Sequence, residues 1–498
     1  MRRRTLLSTL STSALVGLAG CNALSGDSST TRPNLGVETT PSESTTTTRP
    51  VVTDPGETPQ PWTRTEKPQR VLAALDPLQV DDDVSVTAGF TNTATPDHPA
   101  TLRITHTNTS DTETEFTFGG TPPLSRYVAT DEATDNRLIL APVTDAEPTK
   151  AVRYWNDCWE PRFRIVDRDD ETQSISLPPG KSVTHRYALV TPNDQTVCLP
   201  VGQYTVEAAA GWQLTISAFN PQDNQPGTSQ FEGASVPPLP GEATGSFWYH
   251  EATAGDSSVY LRPGTEQLGL QDRPLSLTLC NYGTAALTFT PGEWHLYKRH
   301  EEMWKYIGPY GTLDGEALLR PGETDTMQVQ LSNGSSAASE TSLKTVGGLG
   351  PGRYAVERSR LDPTPRDGTS QRVAMAAMVQ LVGDAPDLTP IGVTDTTRSG
   401  ETLSVATEDG GNVTVAVERR SRPSATTLLT EQVMQFPILR NTLSYLSESD
   451  SLSRVDLQTT GDRFQLLVGS TMVLGLATDQ TGISFGYLGE SYRLYRPA

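Results

Sequence analysis

The segment Leu177-Pro-Pro-Gly-Lys-Ser182 is the main evidence for the predicted fold. It recurs as Leu319-Arg-Pro-Gly-Glu-Thr324. A second motif follows each copy, first as Gly202-Gln-Tyr-Thr-Val-Glu207 and then as Gly352-Arg-Tyr-Ala-Val-Glu357. An asparagine turn precedes each copy after an alternating hydrophobic run. The turns are Asn108-Thr-Ser110 and Asn281-Tyr-Gly283. Three motifs that recur in the same order indicate an internal duplication.

The repeated motifs are typical of antiparallel β structure. Pro-Gly favours a turn into a strand. Gly-x-Tyr then begins a further strand, in which the ring of Tyr204 or Tyr354 is expected to pack inside the sandwich. Its hydroxyl group is expected to reach back to the backbone, as at a tyrosine corner. The repeat therefore predicts two Greek-key sandwiches in series.

This set of motifs resembles a broad group of bacterial and archaeal Ig-like domains, which includes the fold of the intracellular proteinase inhibitor of bacilli. The resemblance covers about half of the chain in two copies. It implies a fold and not an activity, because the shared residues are structural. No residue of an inhibitory loop can be matched, so none is carried over.

The predicted fold class is mainly β, with two tandem Ig-like β-sandwiches followed by a small α+β domain. The expected organisation divides the chain at changes of composition. It consists of a signal peptide (1–20), a disordered Ser/Thr/Pro-rich tether (21–70), a first sandwich (71–220), a linker (221–242), a second sandwich (243–384) and the C-terminal α+β domain (388–498).

The C-terminal domain is expected to combine a sheet with one helical hairpin. Apolar residues between Ala425 and Leu446 recur at helical spacing, and Pro437 is expected to kink or split that helix. Short strands are predicted around it, among them Arg463–Val468 and Met472–Ala477.

The N-terminus has the pattern of an export signal. Arg2-Arg-Arg-Thr-Leu-Leu7 precedes an uncharged run that ends Leu18-Ala-Gly-Cys21. The run is too short for a membrane-spanning helix. The arginine pattern resembles a twin-arginine signal, and the last four residues resemble a lipobox. The resemblance implies lipidation of Cys21 and a protein held on the outer face of the cytoplasmic membrane.

The formal net charge of −20 excludes nucleic acid as a partner and suggests a high-salt environment. Nucleic acid is excluded because its phosphates would be repelled. High salt suits such a chain, because at ~1 M the Debye length is only ~3 Å. Together with the export signal, the acidity resembles that of haloarchaeal surface lipoproteins. An acidic surface protein of an ordinary bacterium is the alternative.

Three cysteines remain after Cys21. Cys158 and Cys198 lie in the same predicted domain, and outside the cell a disulfide between them is expected. The rival pairings use Cys280 and would cross domains. Trp155 and Trp159 flank Cys158, so they are expected either to pack in the core against the bridge or to form an exposed aromatic contact patch.

Three N-glycosylation sequons begin at Asn108, Asn333 and Asn412, each at a predicted turn. No metal site is predicted. His295 and His300 are expected to point to opposite faces of a surface hairpin, and runs such as Asp81-Asp-Asp83 lack the spacing of a calcium loop.

No catalytic motif is found, so no catalytic residue and no cofactor are assigned. The residues favour a lipid-anchored extracellular protein, not an enzyme, with a binding or interaction role. Its partners would be the membrane, through the anchor, and a surface protein or polymer.

Two alternatives stay open. One is a surface proteinase inhibitor, by analogy of fold. The other is an enzyme with an unrecognised site in the C-terminal domain, which contains no His and no Cys.

Overall fold

A computed structural model gives the fold. It describes residues 59–75, 83–119, 124–144, 147, 149–162, 172–208, 212–224, 226–241, 245–252, 258–270, 274–311, 313, 315–334, 344–362 and 371–497. The protein is mainly β, with several sheets, and the strands of each sheet come from one of three stretches of the chain. We refer to these as the N-terminal region (62–219), the central region (246–382) and the C-terminal region (393–495).

The described residues of the N-terminal region form thirteen strands. They are β1 (Trp62–Thr65), β2 (Arg70–Ala74), β3 (Val84–Phe90), β4 (Thr101–Asn108), β5 (Thr114–Gly119), β6 (Val128–Thr130), β7 (Arg137–Pro142), β8 (Val152–Trp155), β9 (Cys158–Pro161), β10 (Thr172–Leu177), β11 (Ser182–Val190), β12 (Gly202–Glu207) and β13 (Gln213–Phe219).

Nine of these strands form one sheet in the order β1-β2-β13-β12-β6-β7-β11-β4-β3. The two edges of this sheet approach each other, because Gln60 and Phe90 exchange backbone hydrogen bonds of 2.9 and 2.7 Å. The curled sheet encloses a core that includes Leu102, Tyr187 and Trp212. Strands β5 and β10 pair separately, and β8 and β9 form a hairpin.

The central region contains twelve strands, a short helix and, before them, a 3₁₀ turn at Pro221–Asn224. The elements are β14 (Ser246–Trp248), α1 (Tyr249–Ala252), β15 (Val259–Pro263), β16 (Gln267–Gly269), β17 (Leu275–Asn281), β18 (Leu287–Phe289), β19 (His295–His300), β20 (Met303–Gly308), β21 (Ala317–Leu319), β22 (Thr324–Leu331), β23 (Thr345–Val346), β24 (Gly352–Asp362) and β25 (Gln371–Val382).

Two sheets share the core of the central region. An eight-stranded sheet is built around the long β24–β25 pair, and a four-stranded sheet has the order β15-β17-β22-β23. Leu277 and Val329 of the smaller sheet belong to the same buried cluster as Tyr354 and Val379 of the larger one. Alternating side chains on each strand supply this core, as strand periodicity requires.

The C-terminal region adds seven strands and three helices. They are β26 (Val393–Ser399), β27 (Thr402–Thr407), β28 (Val413–Arg420), α2 (Thr430–Gln435), α3 (Pro437–Glu448), β29 (Arg454–Thr459), α4 (Gly461–Gly469), β30 (Ala477–Asp479), β31 (Gly482–Tyr487) and β32 (Glu490–Tyr495). The strands form one sheet in the order β26-β27-β29-β28-β32-β31-β30, and Leu443 of α3 and Leu467 of α4 pack in its core.

The predicted split of the C-terminal helix is confirmed. Phe436 has extended backbone angles between α2 and α3, and Pro437 is the first residue of α3, where its missing N–H leaves no hydrogen bond unmade. The predicted strand at Arg463–Val468 is wrong, because those residues lie in α4. Thr460 caps this helix, and its Oγ1 accepts a hydrogen bond of 3.4 Å from the Arg463 N–H.

The predicted strand at Met472–Ala477 is also wrong, because the chain forms a hydrogen-bonded turn there. The Leu476 N–H donates to the carbonyl of Thr471 at 2.8 Å, and the Gly475 N–H donates to the carbonyl of Met472 at 3.0 Å. Leu474 and Leu476 are buried by this turn. The chain re-enters the sheet only at Ala477, in β30.

The internal repeat extends to single hydrogen bonds. The Asn108 Nδ2 donates to the carbonyls of Thr112 and Leu177, both at 2.8 Å. The Asn281 Nδ2 donates in the same way to Ala285 at 2.9 Å and to Leu319 at 2.8 Å. Each asparagine fastens its own turn to the segment that enters the Pro-Gly loop.

The two tyrosines also make the hydrogen bonds that the repeat predicts. The Tyr204 hydroxyl donates to the carbonyl of Pro200 at 2.6 Å, and the Tyr354 hydroxyl donates to the carbonyl of Gly350 at 2.8 Å. Both side chains are fully buried. In each case the acceptor lies four residues upstream of the tyrosine, so the hydroxyl group fixes the entry of the chain into the strand.

Two segments are more ordered than predicted. The stretch assigned to a disordered tether as far as residue 70 includes β1, whose Thr63 and Thr65 are buried against β2 and its surroundings. The described part of the predicted linker packs against the central region. Phe231 is buried in a cluster with Trp248 and Trp304. A Pro- and Gly-rich composition did not prevent this segment from burying its aromatic residue.

The central region contacts both of the other regions. The Gln203 Nε2 donates to the carbonyl of Pro321 at 2.8 Å, and a Cβ at Gly322 would lie only 2.7 Å from the Cβ of Phe219. Gly322 also has a φ of +82°, so both its backbone and its surroundings favour glycine. The Gln435 Nε2 of α2 donates to the carbonyl of Gly347 at 2.8 Å.

In the part of the chain that the structure describes, none of the helices has the length and apolar character needed to cross a bilayer.

Candidate binding surface

The β8–β9 hairpin presents one tryptophan and buries the other. Tyr154 lies opposite Trp159, and their rings are 5.5 Å apart. Trp159 is 7% exposed, and its Nε1 donates to the carbonyl of Thr95 at 2.8 Å. Trp155 lies on the other face of the hairpin, because successive strand residues alternate, and it is 58% exposed.

The tip of this hairpin is a two-residue turn. Asn156 and Asp157 have φ values of +49° and +61°, as a type I′ turn requires. The Asp157 carboxylate accepts a hydrogen bond of 3.3 Å from the Tyr154 hydroxyl and pairs with Lys67 at 3.4 Å. The turn thereby places Trp155 directly opposite Cys158.

A disulfide joins the hairpin to a neighbouring loop, so the predicted Cys158–Cys198 bridge is present in the structure. Cys280 is free and buried, which removes the rival pairings. The bridge closes a loop with a sequence separation of 40, for which the chain-entropy model gives ~4 kcal/mol of stabilisation.

The segment after Cys198 is held on several sides. The Leu199 N–H donates to the Thr191 Oγ1 at 3.0 Å, and its carbonyl accepts from the Arg70 Nε at 3.0 Å. The next carbonyl, that of Pro200, accepts the Tyr204 hydroxyl. A backbone fixed at these points loses little entropy when a partner binds to it.

Exposed apolar side chains surround the bridge. Val197 and Val201 are 52% and 42% exposed and flank the fixed segment, while Trp155 lies across the disulfide from Val197. We call Trp155, Val197 and Val201 the disulfide patch. Tryptophan is among the residue types most enriched at binding hot spots. Here it lies in a preorganised apolar setting.

A cluster of polar side chains lies elsewhere, around the buried Glu357. Its carboxylate contacts the His295 Nδ1 at 3.0 Å and the Tyr297 hydroxyl at 3.1 Å, and it accepts a hydrogen bond from the Ser359 Oγ. Burial opposes ionisation, but these hydrogen bonds outweigh it, and the pKa of Glu357 is lowered. The serine binds the carboxylate and not the imidazole, so the cluster does not form a nucleophile–base pair.

A polar cavity of about 280 Å³ opens beside β4 and β11. Its lining includes His98, Asn92 and Arg186, together with threonines, proline and valine, but no carboxylate and no cysteine. It therefore offers no paired acid and base. Within the described ranges, no three His, Cys, Asp or Glu side chains come together as metal ligands would.

The predicted modification sites have different environments. Cys21, Asp81 and Asp82 lie outside the described residues. Asn412 is exposed between β27 and β28, and Asn333 is half-buried. Asn108 is 0% exposed and both of its amide hydrogens are bonded to carbonyls. This burial does not suit the predicted glycosylation of Asn108, because its amide nitrogen is occupied inside the fold.

The sequence did not reveal which tryptophan would be exposed. A usable signal was present, because Asn156-Asp157 is a two-residue turn that pairs Trp155 with Cys158 and fixes the faces of the hairpin. Nothing in the sequence around Cys198 predicted that Val197 and Val201 would be exposed.

Comparisons with known proteins give little similarity. No protein-family model and no curated protein matches the chain. Among solved structures, a red sea bream transglutaminase is 9% identical, with 61% of this chain and 32% of that chain covered and a TM-score of 0.15. A Bacteroides uniformis beta-glucuronidase is 10% identical, with 57% and 26% covered and a TM-score of 0.12.

The native conformation of E. coli alpha-2-macroglobulin is 8% identical, with 86% of this chain and 25% of that chain covered and a TM-score of 0.15. The chain spans about a third or less of the length of each of these structures. At such TM-scores the similarity identifies neither a fold family nor a function.

Proposed function

We propose that this protein is a lipid-anchored extracellular protein with a non-catalytic binding role on the outer face of the cytoplasmic membrane. Its β regions would be two Ig-like sandwiches followed by an α+β domain. The lipobox-like Leu18-Ala-Gly-Cys21, the arginine pattern before it and the acidic composition support the location. The repeated Asn, Pro-Gly and Gly-x-Tyr contacts support the Ig-like assignment.

The main support for the binding role is one observation. The indole of Trp155 is exposed on a hairpin that a disulfide joins to a neighbouring loop. An indole left 58% in water loses the free energy of burial that a core position would provide. The type I′ turn, the bridge and the hydrogen bonds of Leu199 all hold this side chain and its valine neighbours in place. Such preorganisation stabilises a complex more than it stabilises the free protein.

The partner that fits the disulfide patch best is a protein. Val197 and Val201 add aliphatic surface to the indole, and protein interfaces combine aromatic anchors with apolar surroundings and a polar rim. Arg153 and Glu160, paired at 3.1 Å at the base of the hairpin, would form part of that rim. A surface polymer is the competing partner.

The test uses the full chain with Cys21→Ser, which cannot be acylated and stays in solution. Its binding to isolated cell envelopes is compared with that of the same chain carrying Trp155→Ala. Loss of a hot-spot tryptophan should cost about 2 kcal/mol or more, which is about thirtyfold in affinity. Trp62→Ala is the matched control, because Trp62 is also partly exposed, at 36%, but lies outside the patch.

Two further treatments separate the classes of partner. Digestion of the envelopes with a protease should abolish binding if the partner is a protein and leave it unchanged if the partner is a polymer. Equal binding by the Trp155→Ala and Trp62→Ala chains would contradict the role of the patch. Stoichiometric inhibition of the protease by the intact chain would favour the proteinase-inhibitor alternative instead.

A further inference from the structure

The C-terminal region exposes large apolar side chains at the tips of two turns. Met472 is 83% exposed and Val473 is 51% exposed, on the turn that follows α4. Leu488 is 68% exposed, at the tip of the β31–β32 hairpin. We call these three residues the apolar tips. None of them belongs to the disulfide patch.

Hydrogen bonds bring the two turns together. The Thr426 Oγ1 donates to the carbonyl of Gly475 at 2.7 Å, in the first turn. The backbone carbonyl of Thr426 accepts a hydrogen bond of 2.7 Å from the Gly486 N–H. Gly486 lies two residues before Leu488. The first turn also has internal hydrogen bonds, including one from the Leu476 N–H to Thr471. The two turns that carry the apolar tips therefore lie at the same end of the sheet on a well-bonded backbone.

Leu488 has a backbone conformation that its side chain disfavours. Its φ is +49°, in the left-handed region, where a hairpin turn normally carries Asn, Asp or Gly. The side chain gains no core contact in return, because it is mostly in solvent. A bulky apolar residue that is both strained and exposed suggests a function away from the folded core.

The turn that carries Met472 and Val473 lies in a stretch free of charge, whereas Leu488 lies two residues before Glu490, whose side chain is 57% exposed and pairs with Arg419 at 3.6 Å. From Phe464 to Thr478 the sequence contains no charged residue, although 20% of the whole chain is charged. Phe464, Leu466 and Val468 of α4 are themselves only partly buried. Cations lie at the border, with Arg463 paired to Asp409 and the Arg496 guanidinium 5.9 Å from the Phe464 ring.

From these features we infer that the apolar tips dock onto a lipid surface, as a second contact that orients the protein on the membrane. The inference depends on the proposed anchoring of Cys21. The residues between Cys21 and Pro59 can span at most about 130 Å, so an anchored protein stays within reach of the bilayer. A second weak contact on a tethered protein benefits from the high effective concentration of the bilayer and fixes the orientation of the protein on it.

The chemistry of the tips favours lipid over a second copy of the chain. Two narrow turns can enter the boundary between headgroups and acyl chains, whereas a stable dimer needs about 800 Å² of contact on each partner. Three side chains cannot supply that area. The turn at Met472 and Val473 carries no charge, and the Glu490 carboxylate beside Leu488 is paired with Arg419 at 3.6 Å, so a protein of net charge −20 meets anionic headgroups here with little unpaired negative charge.

The test measures flotation of the mature chain, residues 21–498 with Cys21→Ser, with vesicles of phosphatidylcholine and phosphatidylglycerol. Without the signal peptide and without acylation, any binding comes from the rest of the protein surface. The chain should float with the vesicles, and Met472→Ser with Leu488→Asn should reduce its partition coefficient about a hundredfold, because each of the two apolar side chains contributes about tenfold when it leaves water. Leu488→Asn suits the left-handed turn, so loss of binding cannot be attributed to unfolding.

Leu318→Ser with Val382→Ser is the matched control, because both residues are 39% exposed in the central region. This variant should bind within about twofold of the parent chain, since neither residue lies at the apolar tips. Failure of the Cys21→Ser chain to float, or an equal loss in the control, would overturn the docking and leave the anchor intact. Concentration-dependent dimers that Met472→Ser removes would assign the tips to a second copy.

The anchor is tested separately by the membrane association of the native, acylatable chain. If that chain is not found with membranes, the proposed function fails whatever the vesicles show.

Discussion

Asn108 and Asn281 make the same pair of hydrogen bonds in two different regions of the protein. Each is 0% exposed, and each Nδ2 donates both hydrogens to backbone carbonyls, one in its own turn and one at the start of a Pro-Gly loop. The Gly180 and Gly322 N–H groups in turn donate to the carbonyls of Asn108 and Asn281, at 2.9 and 2.6 Å. The duplication thus preserves a specific polar contact as well as a pattern of strands.

Asn281→Ala should destabilise the protein by about 2–4 kcal/mol, because it leaves the carbonyls of Ala285 and Leu319 buried without their donor. The free energy of unfolding in denaturant measures this loss. Asn412→Ala is the control, since that side chain is exposed, and should change stability by less than about 0.5 kcal/mol. Equal stability of the two variants would contradict the role assigned to the buried amide.

Removal of the disulfide should destabilise the N-terminal region by about 4 kcal/mol, as expected for a closed loop of this length. Cys158→Ala with Cys198→Ala is compared with the parent chain by denaturant unfolding. A reducing agent should lower the stability of the parent and leave that of the variant unchanged, because Cys280 is not bridged. A parent insensitive to reduction would contradict the bridge.

Glu431 should hold the C-terminal region against the central one. Its carboxylate pairs with Lys298, whose side chain is only 17% exposed, and accepts the Gly350 N–H at 3.2 Å. Glu431→Gln removes the charge opposite a largely buried ammonium group and should cost about 3 kcal/mol. Hydrogen exchange of the α2 amides measures the loss, since separation of the two regions would expose that helix.

The matched control for this ion pair is Glu147→Gln, which removes an exposed partner of Lys150. Surface pairs of this kind contribute less than about 1 kcal/mol. If both substitutions leave the exchange of α2 unchanged, Glu431 does not join the regions.

The free energy of unfolding should decrease as the pH is lowered from 6.5 to about 4. His106 is fully buried, and its ring lies 4.8 Å from Phe116 and 5.2 Å from Phe118. Neither of its ring nitrogens has a hydrogen-bond partner in the described structure. Burial lowers the pKa of His106 from 6.5 to about 4, and the nearby His185 adds to this effect. Burial lowers the pKa of His185 to about 4 as well.

The sign follows from the protons that each state binds. Between pH 6.5 and 4 the unfolded chain protonates both histidines and the native state does not, so acid favours unfolding. Their contribution is complete above pH 6.5 and is lost as the pH falls towards 4. His106→Phe should flatten this dependence in denaturant titrations at several pH values, whereas His98→Gln, at an exposed position, should not. An unchanged slope in His106→Phe would contradict the assignment.

The local features of the fold were predictable from sequence because they depend on a few adjacent residues. The turn at Asn281, the corner at Tyr354 and the break before Pro437 all follow from the chemistry of single side chains. The helix α4 was mistaken for a strand because a short apolar run suits either structure. Its signals were the cap at Thr460 and the helical spacing of Phe464 and Leu467.

Features that depend on tertiary contacts were not predictable. The strand β1 is short and polar, and only its pairing with β2 shows that it is ordered. The docking of Glu431 on the central region joins residues far apart in the sequence. The exposure of Trp155 depends on the register of a hairpin, where a shift of one residue would exchange its face with that of its neighbour.

Intact-mass analysis of the native protein from its membranes, before and after reduction, tests the central claim most directly. We expect a mature chain that begins at a lipidated Cys21 and contains one disulfide. A chain that still begins at Met1, or a soluble chain without lipid, would contradict the proposed location and the binding role that depends on it.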